Sequence, residues 1–222
     1  MEYRLVRSRR RTIAVIIRSD GSVEVRAPMR ASQKSIDRFL HEKESWIQEK
    51  SALMRSRAQE RAQFSLAPGE SISFLGKEYR IETGGSAAIS DGKIVLRPGG
   101  ESDLRRQIEA IFRREAAGYL PARVQIFADR MGESPDKIKI TGARTRWGSC
   151  SSRRVICFSW RLMMAPPEAV DYVVVHELAH LRHMDHSASF WQEVAQVLPD
   201  YEIRREMLKA VQKRLWKEGW QG

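Results

Sequence analysis

Four of the chain's five histidines fall in one run of eleven residues: His176-Glu177-Leu178-Ala179-His180-Leu181-Arg182-His183-Met184-Asp185-His186. The fifth, His41, is far away in sequence. The run contains the pattern H-E-x-x-H, which has a chemical use only on a helix. Four residues advance ~400° around an α-helix, so His176 and His180 share one face, one turn apart. Two imidazole nitrogens so placed can reach a common point ~2.0–2.1 Å from a zinc ion. Glu177 is offset by one step of ~100° and can lie beside the metal without binding it. There it can take a proton from a zinc-bound water, whose pKa the metal lowers to ~7.

The preceding residues support the helix. Pro166-Pro167 opens it, because proline at the first helical position loses no intrahelical bond. Val173-Val174-Val175 alone suggests a strand, but the histidine spacing outranks that local preference. The third ligand is open on geometry. A straight helix favours His183, seven residues after His176; a helix ending near Arg182 favours His186. Asp185 supplies turn chemistry, and Ser187 can N-cap a new helix containing Phe190, Trp191, Val194 and Val197, which favours the second choice. The spacing His176-Glu177-x-x-His180-x5-His186 equals that of the metzincins, which have glycine where this chain has His183.

Upstream, Arg11–Arg18 and Val23–Arg26 flank an Asp20-Gly21 turn and read as a β-hairpin. Residues 32 to 61 read as one long helix with Ile36, Phe39, Leu40, Ile47, Leu53 and Met54 near one stripe. Short strands are expected at 71–75, 78–81 and 93–96. Leu104, Ile108, Ile111 and Phe112 mark a helix from 102 to about 119. Gly118 and Pro121 suggest a break before a second helix that Gly132 caps. Strands follow at 137–140 and 155–158. Pro98-Gly99-Gly100 is the expected internal boundary, giving a β-rich region with one long helix over 1–100 and a catalytic region over 101–222.

At 222 residues and 42% hydrophobic composition the chain can bury a core. No apolar run approaches the ~18 residues of a membrane span, and no signal segment is visible at the N-terminus. Two cysteines, Cys150 and Cys157, are too few for a disulfide framework or a second metal site, and a cytoplasmic location is expected. The formal net charge of +11 admits a polyanionic partner such as nucleic acid.

Arg146-Trp147-Gly148-Ser149-Cys150, Ala165-Pro166-Pro167, Tyr172-Val173-Val174-Val175-His176-Glu177-Leu178-Ala179-His180 and His186-Ser187-x-x-Phe190-Trp191 together resemble the YgjP-like metallopeptidase family, which is related to the SprT-like zincins. The Arg11-Thr12-Ile13 strand, the Asp20-Gly21-Ser22-Val23 turn and the Trp46-Ile47 helix fit the same family. The resemblance thus spans nearly the whole chain and allows a single YgjP-like domain. It implies an α+β, zincin-like fold with an N-terminal β-hairpin and helix region and a C-terminal helical zinc-binding region. It implies one Zn²⁺ on His176, His180 and His186, with Glu177 as general base and a peptide or protein as substrate. One departure is Asp185, where the family often has Asn. In zincins an edge strand beside the motif helix pairs with extended substrate; Ile138 to Trp147 can supply it, with Gly148 permitting close backbone approach.

The expected activity is metal-assisted hydrolysis of a peptide bond. His183, Arg144, Arg146 and Tyr172 are candidate donors to the oxyanion, and the sequence does not choose among them. Two alternatives stand: a zinc hydrolase of a nucleotide or other phosphorylated substrate, and a nucleic-acid-binding protein with a structural zinc or a DNA-recruited protease.

Overall fold

The computed structural model describes residues 2–220. The backbone divides into two compact units, Met1–Phe64 and Ser65–Gly222, and Pro98-Gly99-Gly100 lies within the second. Among the described residues the architecture is mixed α+β, with six α-helices and three small sheets.

The first unit contains β1 (Arg4–Ser8), β2 (Ala14–Ile17), β3 (Val23–Pro28), α1 (Gln33–Glu42) and α2 (Glu44–Gln63). Strand order is β1-β3-β2, with β2 and β3 forming the expected antiparallel hairpin and β1 parallel to β3. The turn depends on Gly21. Its φ is +81°, and a Cβ there would lie 2.8 Å from the Ser51 carbonyl oxygen. Asp20 Oδ1 completes the turn by accepting from the Ser22 amide at 2.8 Å. Val23, Val25, Ala27, Ile36, Leu40 and Ile47 form the core of this unit. The helix expected over 32–61 is two helices. Lys43 leaves helical geometry (φ −109°, ψ 7°), and its amide bonds back to Leu40. The bend keeps Ile47 fully buried, whereas Leu53 on the distal half is exposed.

The second unit opens with β4 (Ser71–Phe74), β5 (Lys77–Thr83), β6 (Ala88–Ser90) and β7 (Lys93–Leu96), in the order β4-β5-β7-β6. Two tight turns join the antiparallel pairs, Leu75-Gly76 and Asp91-Gly92, all four residues having positive φ as a type I′ turn requires. Leucine is unusual there; its amide donates to the Met163 carbonyl at 2.7 Å.

Next comes α3 (Glu101–Met131), a single 31-residue helix in place of the expected two. Pro121 lies inside it. The lost bond and ring clash cost ~3 kcal/mol. Against that, the buried stripe runs without a break through Phe112, Ala116, Leu120, Val124 and Phe127. Each large apolar side chain kept out of water contributes ~1.5–3 kcal/mol, so packing wins. Gly132 ends the helix in the left-handed region as predicted (φ 64°).

Strands β8 (Lys137–Thr141), β9 (Gly148–Cys150) and β10 (Val155–Ser159) form the third sheet, in the order β8-β10-β9. A 3₁₀ turn (Trp160–Met164) leads into α4 (Pro167–Ala179), followed by α5 (Ala188–Val197) and α6 (Tyr201–Lys217). Helix α4 is buried along almost its whole length, including Val173, Val174 and Val175. Burial of the three valines overrides their β preference. An aromatic series, Phe74, Phe112, Trp160 and Trp220, runs through this core with successive centroids 5.2, 6.2 and 5.8 Å apart.

Candidate metal centre

Helix α4 carries His176 and Glu177 on its last turn and ends at His180, its C-cap. The chain then tightens: the Leu181 amide bonds to Leu178, and those of Arg182 and His183 bond to Ala179. Asp185 Oδ1 accepts from the Ser187 amide at 3.1 Å and reverses the chain. Ser187 occupies the N-cap position of α5 as predicted, but its hydroxyl makes no capping bond. Asp185 does the local work instead.

This reversal returns His186 to the helix. Its Nε2 lies 3.2 Å from His176 Nε2. His176, His180 and His186 each offer a ligand nitrogen, all within 4.8 Å of one another. Two nitrogens on a tetrahedral zinc at 2.0–2.1 Å would be ~3.3 Å apart, so the 3.2 Å pair matches one edge of such a site. His180 Nδ1 is 2.8 Å from the His183 carbonyl oxygen. A proton on Nδ1 donates to that carbonyl and leaves the Nε2 lone pair for a metal.

The rings rest on an apolar floor. Phe190, fully buried, has its centroid 4.9 Å from His176, 4.6 Å from His180 and 4.9 Å from His186. Trp191 stacks on His186 at 5.8 Å and on Tyr201 at 5.4 Å. Burial, and after it the neighbouring His180 and His186, pushes the His176 pKa down to about 3. Burial also lowers that of His180. Both are therefore neutral near pH 7, the form that binds metal.

Glu177 is 5% exposed and sits under β9. A Cβ on Gly148 would lie 2.5 Å from Glu177 Oε1. Oε2 is buried with no protein partner. Burial pushes the carboxyl up to about 8, with Arg146 acting in the opposite sense. A cation held by the imidazoles would also favour the carboxylate. A buried acid without a partner, next to the neutral His176 and His180, is a set of groups that a divalent ion would satisfy.

The four candidate donors are placed differently. Tyr172 is buried, its ring centroid 5.8 Å from that of His176. Arg146 is exposed, and its charge reaches Glu177. Arg144 is exposed, and its charge acts on Arg161. The His183 ring turns to Glu193 on α5, with Nε2 3.1 Å from Oε2. The strand beside α4 is Gly148–Cys150, whereas 137–141 pairs only with β10 at the other edge of the sheet. Cys150 is a partly buried free thiol whose pKa is pushed up to about 11 by burial and then by Glu177, so it stays protonated. A polar hollow of about 820 Å³ lined by Arg18, Glu24 and Ser51 lies in the first unit and contains none of these residues.

Two features were not foreseen as parts of the site. One is the use of the His183 carbonyl, a main-chain group that no residue pattern announces. The other is Glu193, whose only sequence signal is its place three residues after Phe190 on the new helix.

Among solved structures the chain is similar to the metallopeptidase zymogen of Pyrococcus abyssi abylysin, with 25% identity and a TM-score of 0.39, covering 43% of this chain and 94% of that one. No curated protein matches in sequence. The family model described as "YgjP-like, metallopeptidase domain" matches residues 11–211, running from the first hairpin through the histidine cluster and most of α6. With nine-tenths of its length so matched, the chain belongs to the YgjP-like metallopeptidase family.

Proposed function

We propose that the protein is a zinc-dependent peptidase in which His176, His180 and His186 hold one Zn²⁺ and Glu177 is the general base. The observation that carries this reading is the Glu177 carboxyl, buried under Gly148 with Oε2 lacking a protein partner beside three convergent imidazoles. Bound zinc supplies Lewis acidity, polarising a carbonyl oxygen and acidifying water.

The chain's own groups do the rest. Glu177 receives the proton of the attacking water at its unpaired Oε2 and passes it to the leaving amine. Phe190 backs the cluster from the protein side, where His176 and His180 are partly buried, while His186 stays open to solvent and leaves substrate a way in. Arg146, whose charge reaches Glu177, and Tyr172, whose ring lies beside that of His176, are the better-supported oxyanion donors, while the His183 ring is turned to Glu193. Free cysteines agree with a reducing, cytoplasmic setting. Among the described residues no helix is long and apolar enough to cross a membrane.

The test uses an unfolded protein as substrate. Chelation abolishes cleavage and Zn²⁺ restores it. Glu177→Gln keeps the metal and lowers kcat by at least ~10²-fold. Unchanged cleavage by Glu177→Gln removes the assigned base.

One observation favours a second reading, recruitment to a polyanion. Residues 1–64 hold 15 of the 39 Lys and Arg against 8 of the 28 Asp and Glu, so most of the net charge of +11 sits there. Retention on duplex DNA should then weaken steeply as salt rises. Retention that ignores salt sinks this reading.

A further inference from the structure

The cluster outside the three imidazoles that the proposed mechanism does not use is centred on Glu193. Its side chain is 11% exposed. It receives Arg182 Nη1 at 3.0 Å on Oε1, and His183 Nε2 lies 3.1 Å from Oε2 as a close contact without hydrogen-bond alignment. Arg182 does more than meet Glu193. Its Nη2 donates to the Met131 carbonyl at 2.7 Å and its Nε to Glu133, tying the turn to the end of α3. Burial would raise the Glu133 carboxyl, but Arg154 and Arg182 outweigh it and hold it below the usual range.

These contacts act on an irregular segment that is otherwise held by backbone bonds to Leu178 and Ala179, by the Asp185 turn and by Trp191 against His186. Residues 181–187 have no regular secondary structure, and Met184 is an exposed apolar side chain. Yet this segment must present two things with precision. One is the His183 carbonyl, which orients the His180 ring; the other is the His186 ring itself. Glu193 accepts a hydrogen bond from Arg182 and meets the next side chain, His183, from a helix that also carries Phe190, the floor under all three rings.

We infer that Glu193 is a positioning residue for the metal centre: by clamping Arg182 and His183 it fixes the His183 carbonyl against His180 Nδ1 and aims His186 at His176. This rests on His176, His180 and His186 being the metal ligands. The clamp is a carboxylate acting one bond network away from the ligands, a kind of contact whose loss costs ~10–100-fold in metal affinity.

The experiment titrates the full-length protein with Co²⁺ and Zn²⁺ in competition with a chromogenic chelator and records the Co²⁺ d–d spectrum. Glu193→Ala is expected to weaken binding at least ~10-fold and to shift the cobalt bands, with the far-ultraviolet circular dichroism of the metal-free protein unchanged. Glu193→Gln, which keeps an oxygen for Arg182, is expected to recover affinity to within about threefold of wild type. Wild-type affinity and spectrum in Glu193→Ala overturn the inference. Equal loss in Glu193→Gln, which keeps the packing, traces the effect to the carboxylate's charge on Arg182 and also supports the clamp. Should Glu193→Ala fail to fold, His183→Ala decides: it removes one arm of the clamp while leaving the carbonyl, and a loss of threefold or more supports the clamp, whereas none refutes it. His186→Ala is the separate control. If it binds as tightly as wild type, the ligand assignment has failed, and not merely the clamp.

Discussion

Gly148 and Glu177 are packed so closely that a single methyl group on Gly148 would lie 2.5 Å from the Glu177 Oε1 atom and 2.7 Å from its Cγ. The backbone of β9 is thus the lid of the proposed base, and it can be one only without a side chain. Gly148→Ala should displace the carboxylate, lowering kcat/KM at least ~10-fold through misplacement of the proton acceptor. Overpacking adds a stability cost of ~1–3 kcal/mol. Zinc affinity should stay near wild type, since the nearest atoms to a Cβ on Gly148 all belong to Glu177 and none to the proposed ligands. Steady-state kinetics alongside chelator competition separates the two. A full-activity Gly148→Ala enzyme refutes the lid.

The turn at 185–187 distinguishes a residue type from the bond it makes. Ser187 has no capping bond, so Ser187→Ala should change stability by less than ~0.5 kcal/mol. Asp185 accepts the Ser187 amide, so Asp185→Ala should lower both melting temperature and metal affinity, and Asp185→Asn should restore most of each. Thermal melts of the metal-free and zinc-loaded forms check the ordering. A larger effect from Ser187→Ala contradicts it.

Arg123 on α3 and Asp171 on α4 form a bidentate pair at 2.7 and 2.8 Å, with Arg204 of α6 3.8 Å from the same carboxylate. Arg123→Met leaves a mostly buried carboxylate with only the distant Arg204. Discounting the full buried-pair penalty for partial exposure, the loss should be about 2–3 kcal/mol in urea denaturation. Adding Asp171→Asn should recover part of it. Simple additivity of the two changes would show that the pair is not coupled.

Glu218 gives the pH dependence. Burial pushes its carboxyl from 4.5 up to about 7, with Arg214 opposing and Glu78 reinforcing, and its Oε2 is buried without a partner. A carboxyl whose folded pKa exceeds its unfolded value favours the fold below about pH 4.5. That advantage is lost as pH rises through about 7. At ~1.4 kcal/mol per unit the full difference is about 3 kcal/mol. Glu218→Gln should therefore be more stable than wild type at pH 8 and similar to it at pH 5. Equal stability differences at the two pH values would show that Glu218 does not titrate in this range.

Much of the histidine cluster was readable because its rules are periodic or local. Helical spacing brought His176 and His180 together, and turn chemistry at Asp185 pointed to His186 over His183. The rule failed in detail at Ser187, where residue preference names a position but not the atom that bonds there. The α3 break failed for the opposite reason. Pro121 is a strong local signal, yet the buried stripe through Leu120 and Val124 is a property of the assembled core. Likewise the strand beside the helix was expected from 138–147, but pairing partners depend on contacts distant in sequence, and only Gly148–Cys150 lies there.

Helix α4 is walled in from Ala169 to Ala179, with only His176 partly reachable among those residues. A helix in that situation has almost no freedom to vary. Any change that would retune substrate choice from its own surface would first disturb the interior of the protein. Diversification of a peptidase built this way is therefore channelled outward, to the short β9 edge and the exposed stretch around Arg144 and Arg146, where side chains can be exchanged while the buried helix stays as it is.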